Sequence, residues 1–300
     1  MAAGLKRAVI AGGTGLIGQR LVAELLRRGV HVTVLTRDPA GAKVPDGAEF
    51  SGYDALSSVL DGADALFNLA GASIAGKRWT EAYQRELVTS RVDTTRRLVE
   101  AIGACAVPAP VLVSASAIGF YGPRDTTPVD ESAPQGATFL AELCAKWEAA
   151  ALESPTRVAV LRTGVVLAKE GGALPKMALP VKFFLGAKLG RGDQGFSWIH
   201  LDDLVAMYLQ AAEDSRWSGA INATAPEPVS NAAITKLLGQ RLHRPILPVP
   251  GFLTAAALKM LVGELSSELL TGAFVLPKRA ESLGYPFKHR DAASALSDLL

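Results

Sequence analysis

Along the first half of this chain, short continuous runs of Val, Leu, Ile and Ala alternate with longer stretches whose apolar residues fall three or four positions apart. The first rhythm is that of strands covered on both faces, the second that of amphipathic helices. Their alternation predicts a parallel sheet wrapped by helices. The runs place strands at Arg7–Ala11, Val30–Leu35, Ala48–Phe50, Ala63–Leu69, Val111–Ser114 and Arg157–Val166. Helices fall at Leu16–Arg28, closed by Gly29, at Glu81–Ala104 and at Thr138–Glu153. With right-handed crossovers these elements form a Rossmann-type, doubly wound α/β sheet.

Beyond Val166 the rhythm breaks. Gly171-Gly172, the glycines between Gly186 and Gly195, and Pro175 and Pro180 interrupt it. Regular structure resumes at Phe196–Ile199 and in a helical Asp202–Glu213, and from Pro226 onward short helices are separated by Pro and Gly. The expected division is a core over 1–168, to which 196–224 returns, and a smaller lobe for substrate made of 169–195 and 225–300.

Composition narrows the class. Of 300 residues, 49% are hydrophobic and 20% charged, with a net charge of +2, an ordinary globular balance. So even a balance argues against a nucleic-acid or anionic-membrane partner. Cys105 and Cys144 lie far apart without CxxC spacing, and the four histidines are scattered, so neither a disulfide framework nor a metal site is expected. The N-terminus leads directly into a strand, which leaves no room for a signal peptide, and no apolar stretch reaches membrane-spanning length. A cytoplasmic location is the expectation.

The chemistry begins at residues 12 to 18, Gly-Gly-Thr-Gly-Leu-Ile-Gly, placed after the first strand and opening the first helix. Glycines there permit a tight turn, let the backbone approach a pyrophosphate and allow close packing of helix on strand. The helix N-terminus adds free N–H donors and a favourable dipole. Gly12, Thr14, Gly15, Leu16, Ile17 and Gly18 therefore form the expected dinucleotide loop. The second strand ends Thr36-Arg37 where NAD enzymes carry an acid, and a guanidinium there suits the 2′-phosphate of NADP. Asn68-Leu69-Ala70-Gly71 closes the fourth strand with small residues that would admit the ribose. A second match, Gly190-Arg-Gly192-Asp-Gln-Gly195, follows no clear strand and opens no helix, so it reads as a decoy.

The glycine loop, Asn68–Gly71, Ser90-Arg91-Val92-Asp93-Thr94-Thr95 and Ser114-Ala115-Ser116-Ala117-Ile118-Gly119-Phe120-Tyr121-Gly122 together resemble one group. Leu161–Leu167, Trp198-Ile199-His200 and Asn222–Pro226 agree with it. The group is the YfcH-like "epimerase family" proteins, an atypical branch of the short-chain dehydrogenase/reductases with a C-terminal domain of unknown function. The resemblance covers nearly the whole chain. It implies NADP(H) as cofactor, Thr36 and Arg37 at the 2′-phosphate, Leu69 and Ala70 beside the ribose, Glu86 and Arg91 lining the cleft, and Val166 near the nicotinamide. It also implies a small-molecule substrate and, by the superfamily's habit, a homodimer.

Ordinary members of that superfamily use a Tyr whose phenolate is stabilised by a Lys four residues later. None of the five tyrosines here has a Lys at that position. The resemblance places the motif at Leu140–Cys144, with Leu for Tyr and Cys for Lys, and matches Ser116 to the upstream catalytic Ser. Ser116, Tyr121 and Cys144 are then the groups on offer as acid or base. Each has a plainer alternative: Ser116 closing a strand, Tyr121 in a structural Tyr-Gly turn, Cys144 as a buried small residue. Arg91 with Glu86 reads either as a polar pair serving the cofactor or as an exposed helix face, and His200 as an anchor of the returning segment. Two functions remain: an NADP-dependent oxidoreductase or epimerase-like enzyme, and a non-catalytic NADP(H) sensor or scaffold.

Overall fold

Seven parallel strands make the central sheet. The computed structural model describes residues 4–38, 41 and 45–300. First come β1 (Arg7–Ala11), α1 (Leu16–Arg27), β2 (His31–Leu35) and β3 (Glu49–Ser51). Next are α2 (Leu56–Leu60), β4 (Ala65–Asn68), α3 (Glu81–Gly103), β5 (Val111–Ala117), α4 (Phe139–Leu152) and β6 (Arg157–Thr163). The chain continues through β7 (Val165–Leu167), α5 (Leu174–Lys182), β8 (Gly195–Phe196), β9 (Trp198–His200), α6 (Leu201–Glu213) and β10 (Gly219–Ala223). It closes with β11 (Val229–Ser230), α7 (Asn231–Leu242), α8 (Gly251–Val262), α9 (Leu265–Leu269), α10 (Lys278–Ser282) and α11 (Ala292–Leu299).

Strand order in the main sheet is β10-β6-β5-β4-β1-β2-β3. The order reverses between β1 and β4, where Ala11 pairs with Asn68. In open α/β sheets the crevice for ligand lies beyond the carboxyl ends of the strands at such a reversal. Side chains alternate along β1: Ala8 and Ile10 join the core with α1 and α6, while Val9 and Ala11 face α2 and α3. Every one of these four is fully buried, which is why Ala8–Ala11 carries no polar residue and the one charge of the strand, Arg7, stands at its less buried start.

Two departures from the sequence reading have physical causes. The sixth strand stops at Thr163 rather than Val166, because at Gly164 the Ser197 backbone comes so close that a Cβ would lie 2.8 Å from its carbonyl oxygen. Val165–Leu167 then leaves the main sheet and pairs in parallel with Trp198–His200. The second departure is β10, a strand built of Gly-Ala-Ile-Asn-Ala, whose composition carries no strand signal but whose backbone completes the edge beside β6. Helix α5 also forms despite Pro175 and Pro180. Pro175 sits in the first turn, where its missing N–H costs nothing.

The C-terminal stretch is divided in its packing. Helices α5, α7 and α11 share one apolar cluster that includes Trp198, Ile234 and Leu296. Ala280, Tyr285 and Phe287 instead join the large cluster on the α1–α6 face of the sheet.

Candidate active site and cofactor loop

Gly12, Gly13 and Gly18 are glycine because the protein itself leaves no room for more. Gly12 has φ +83°, and a Cβ there would lie 2.6 Å from the Leu69 carbonyl. At Gly13 it would meet the Val34 methyls at 2.8 Å, and at Gly18 the Gly12 carbonyl oxygen at 2.3 Å. Gly15 is different. Its φ is −80°, and its Cβ would meet only the Gly12 oxygen at 3.5 Å, an ordinary contact. Thr14 and Gly15 are solvent-exposed, and Gly15 opens α1 without a side-chain cap or an acid in the first turn. Helices α3, α4, α7 and α11, by contrast, are capped by Thr80, Thr138, Ser230 and Asp291. The open backbone at α1 is suited to an anion that needs close approach.

The other cofactor candidates surround this loop unevenly. Leu69 and Ala70 lie against Gly12, and the Asn68 amide, itself held by Thr95 at 2.8 Å, accepts from the Ala70 N–H. Leu16 and Val166 meet across Gly172, whose Cβ position is 3.3 Å from a Leu16 methyl and 2.9 Å from the Val166 oxygen. Ile17 is half-buried in the same first turn. Thr36 receives the Asp38 N–H on its hydroxyl at 3.3 Å, and Arg37 is exposed beside it.

Arg91 sits beside Gly71, donates to the carbonyls of Ala72 and Leu87 at 2.9 and 3.2 Å, and lies over the Trp147 ring at 5.2 Å. Gly71 is needed there, because a Cβ would fall 2.9 Å from the guanidinium carbon. Burial lowers the Arg91 pKa from the usual guanidinium value. Among the described residues no carboxylate lies within ion-pair distance of it. Glu86 does not pair with it. Five positions apart on α3, the two point to different sides of the helix, and the exposed Glu86 carboxylate instead meets Lys77 at 3.1 Å. The decoy loop is structural, with Gly195 held against the Ala273 backbone.

Ser116, Tyr121 and Cys144 do come together, but around residues the sequence reading passed over. The Ser116 hydroxyl donates to Glu148 Oε1 at 2.6 Å. Arg162 grips the same carboxylate with two bonds of 2.8 Å and donates to the Tyr121 oxygen at 3.0 Å. Tyr121 in turn donates to Asn222 at 2.7 Å. All five side chains are buried. Burial raises the Tyr121 phenol above its ordinary value, against the opposing pull of Arg162. Burial, with the neighbouring Glu148 charge, pushes the Cys144 thiol up to about 11. Cys144 is therefore a protonated thiol at neutral pH, not a reactive thiolate. One signal for the missed pair was present: Arg162 is a charge that directly continues the apolar run Val158–Leu161 of a buried strand, which demands a partner.

His200, His289 and Asp298 form a separate cluster, their ligand atoms within 4.8 Å of one another. The His200 Nδ1 accepts the Asp202 N–H at 3.1 Å and caps α6. That bond places the ring's proton on Nε2, which faces Asp298 at 3.3 Å outside hydrogen-bond geometry. In this arrangement His200 therefore offers no lone pair at Nε2 to a cation.

Comparison with known proteins agrees with this architecture. The model of the NAD dependent epimerase/dehydratase family matches residues 8–223, and that of a domain of unknown function, DUF1731, matches 253–299. The chain is 40% identical to the Arabidopsis thaliana "epimerase family protein SDR39U1 homolog, chloroplastic", over 97% of this chain and 86% of that protein. The crystal structure of human epimerase family protein SDR39U1 (isoform 2) with NADPH superposes at a TM-score of 0.88, with 35% identity and 98% of each chain covered. A nucleoside-diphosphate sugar epimerase from Corynebacterium glutamicum superposes at 0.78, with 34% identity, 98% of this chain and 58% of that one.

Proposed function

The chain belongs to the NAD dependent epimerase/dehydratase family, and from that premise we propose that it binds NADP(H) and exchanges hydride with a small polar carbonyl or alcohol without a Tyr–Lys proton relay. The observation that carries the binding half is Gly15. Gly12, Gly13 and Gly18 need to be glycine for packing, whereas Gly15 stands exposed at the uncapped start of α1 with room beside it for the close approach of a ligand. The human relative crystallised with NADPH supports the choice of cofactor.

In this reading the α1 N-terminus and the loop from Gly12 to Gly18 hold the pyrophosphate, and Thr36 and Arg37 hold the 2′-phosphate. Leu69, Ala70 and Gly71 border the ribose, and Arg91 keeps a desolvated positive charge at the cleft. Val166 lines the nicotinamide side. The bound dinucleotide supplies the hydride chemistry. Ser116 contributes by position, since its proton is already committed to Glu148. The same commitment favours a second reading, a non-catalytic NADP(H) sensor or scaffold, because Ser116, Tyr121 and Cys144 are each buried in the protein's own interactions.

Titration with NADPH and NADH tests the assignment. NADPH should bind more tightly, and Arg37→Ala should cut that preference by about ten- to a hundredfold, the worth of one or two bonds to a charged group. Equal affinity for both dinucleotides would defeat the assignment. Consumption of bound NADPH on addition of carbonyl compounds, followed by its absorbance, separates the enzyme from the sensor.

A further inference from the structure

Two stretches of the C-terminal half, residues 171–192 and 228–263, contain no aspartate or glutamate and hold eight lysines and arginines. The remaining 23 basic residues of the chain face 29 acidic ones, a net charge of −6. The near-neutral total therefore conceals a strong separation of charge. The fold brings the two stretches together. The Leu247 N–H donates to the Gly186 carbonyl at 2.7 Å, Leu189 N–H to the Asn231 side chain at 2.8 Å, and Gly190 N–H to Thr254 Oγ1 at 3.0 Å. Among the described residues only Arg191, of the eight cations, has a carboxylate within ion-pair distance.

The same region exposes large apolar side chains. Phe183 is 68% exposed, Leu185 66% and Phe252 72%. Helix α8, rich in Leu and Ala, buries none of its residues. Phe184 is held at φ +62°, a costly conformation for a bulky residue, with its ring half out in solvent and Arg244 stacked over it at 4.5 Å. Lys182 and Lys188 flank the Phe-Phe-Leu tip on either side.

We propose that this face docks on an anionic lipid surface. Exposed phenylalanine and leucine rimmed by lysine, with Asp193 on Arg191 the only carboxylate paired to these cations among the described residues, is the chemistry of a protein that inserts apolar side chains at the headgroup boundary and keeps its ammonium groups among the phosphates. A two-fold dimer through this face would set cations against cations. A nucleic acid would leave the aliphatic positions unmatched, since Leu185 and the likewise exposed Leu261 of α8 cannot stack on bases. No helix among the described residues is long and apolar enough to cross a membrane, so the contact is peripheral.

The test is co-sedimentation of the full-length protein with vesicles of phosphatidylcholine alone or mixed with phosphatidylglycerol. Binding to the anionic vesicles should exceed binding to the neutral ones by at least about tenfold, and should weaken as salt rises from about 0.1 to about 0.5 M. Lys182→Glu with Lys188→Glu, and separately Phe183→Ser with Phe184→Gly, should each lower it by about tenfold or more, while NADPH affinity, measured in parallel, stays unchanged. Absence of binding to anionic vesicles overturns the proposal, as does unchanged binding by both variants. A concentration-dependent dimer abolished by the phenylalanine variant would assign the face to a second copy instead.

Discussion

A glycine is informative only when its reason is known. Gly18→Ala would force a methyl to 2.3 Å from the Gly12 oxygen, so its expected effect is on stability, read as a lowered Tm. Gly15→Ala meets no obstacle in the protein, so Tm should hold while NADPH affinity falls. Reversal of the two outcomes would show that Gly15 has a packing role. The buried network makes a second claim at this scale. Glu148→Ala strands Arg162, 5% exposed, without its carboxylate, and should cost about 3–5 kcal/mol in urea unfolding. A loss under about 1 kcal/mol would mean that Arg162 finds water instead. The glycines could be read in sequence because their chemistry is local. The partnership of Ser116, Glu148 and Arg162 could not, since it joins β5, α4 and β6.

Among the elements, α6 depends on an unusual cap. The ring of His200 is fixed by the Asp202 N–H, stacks on His289 at 3.9 Å, and faces Asp298 from α11. Asp203 holds the His289 segment through backbone bonds of 2.9 Å, and Lys288 lies near Asp202. Burial first, and the neighbouring His289 second, lower the His200 pKa below its ordinary 6.5, against the carboxylates that would raise it. The unfolded chain thus takes up a proton that the native fold resists. Stability from this group is present above about pH 6.5 and is lost as pH falls below it. Asparagine caps a helix well and does not titrate. Thermal midpoints at pH 7.5 and 5.5 should therefore drop less in His200→Asn than in the wild type, and equal drops would remove His200 as the cause.

At the scale of the whole molecule, strand order and charge distribution follow rules that no single segment states. The reversal between β1 and β4 puts the glycine loop at the crevice where such sheets bind ligands. The chain's net charge of +2 argues against a lipid surface, yet the packing of 171–192 against 228–263 gathers cations that the total averages away. Charge acts through local density over about a Debye length, so the folded surface, not the sum, is what a membrane meets.

Periodicity and the glycine spacing were enough to specify a parallel α/β sheet and its first strand-loop-helix unit, because burial of strand faces and turn geometry are written in neighbouring residues, while the family resemblance came from the added motifs at Asn68–Gly71, Ser90–Thr95 and Ser114–Gly122. The break of the sixth strand at Gly164 required the approach of Ser197, and the seventh strand required an open edge at β6. The separation of Glu86 from Arg91 follows from helical spacing, but its consequence, a half-buried guanidinium left to carbonyls and an aromatic ring, appears only with the folded neighbours in place. Whether a serine, tyrosine or thiol can move a proton depends on what its polar atom touches, and contacts across a sheet are made by tertiary structure alone.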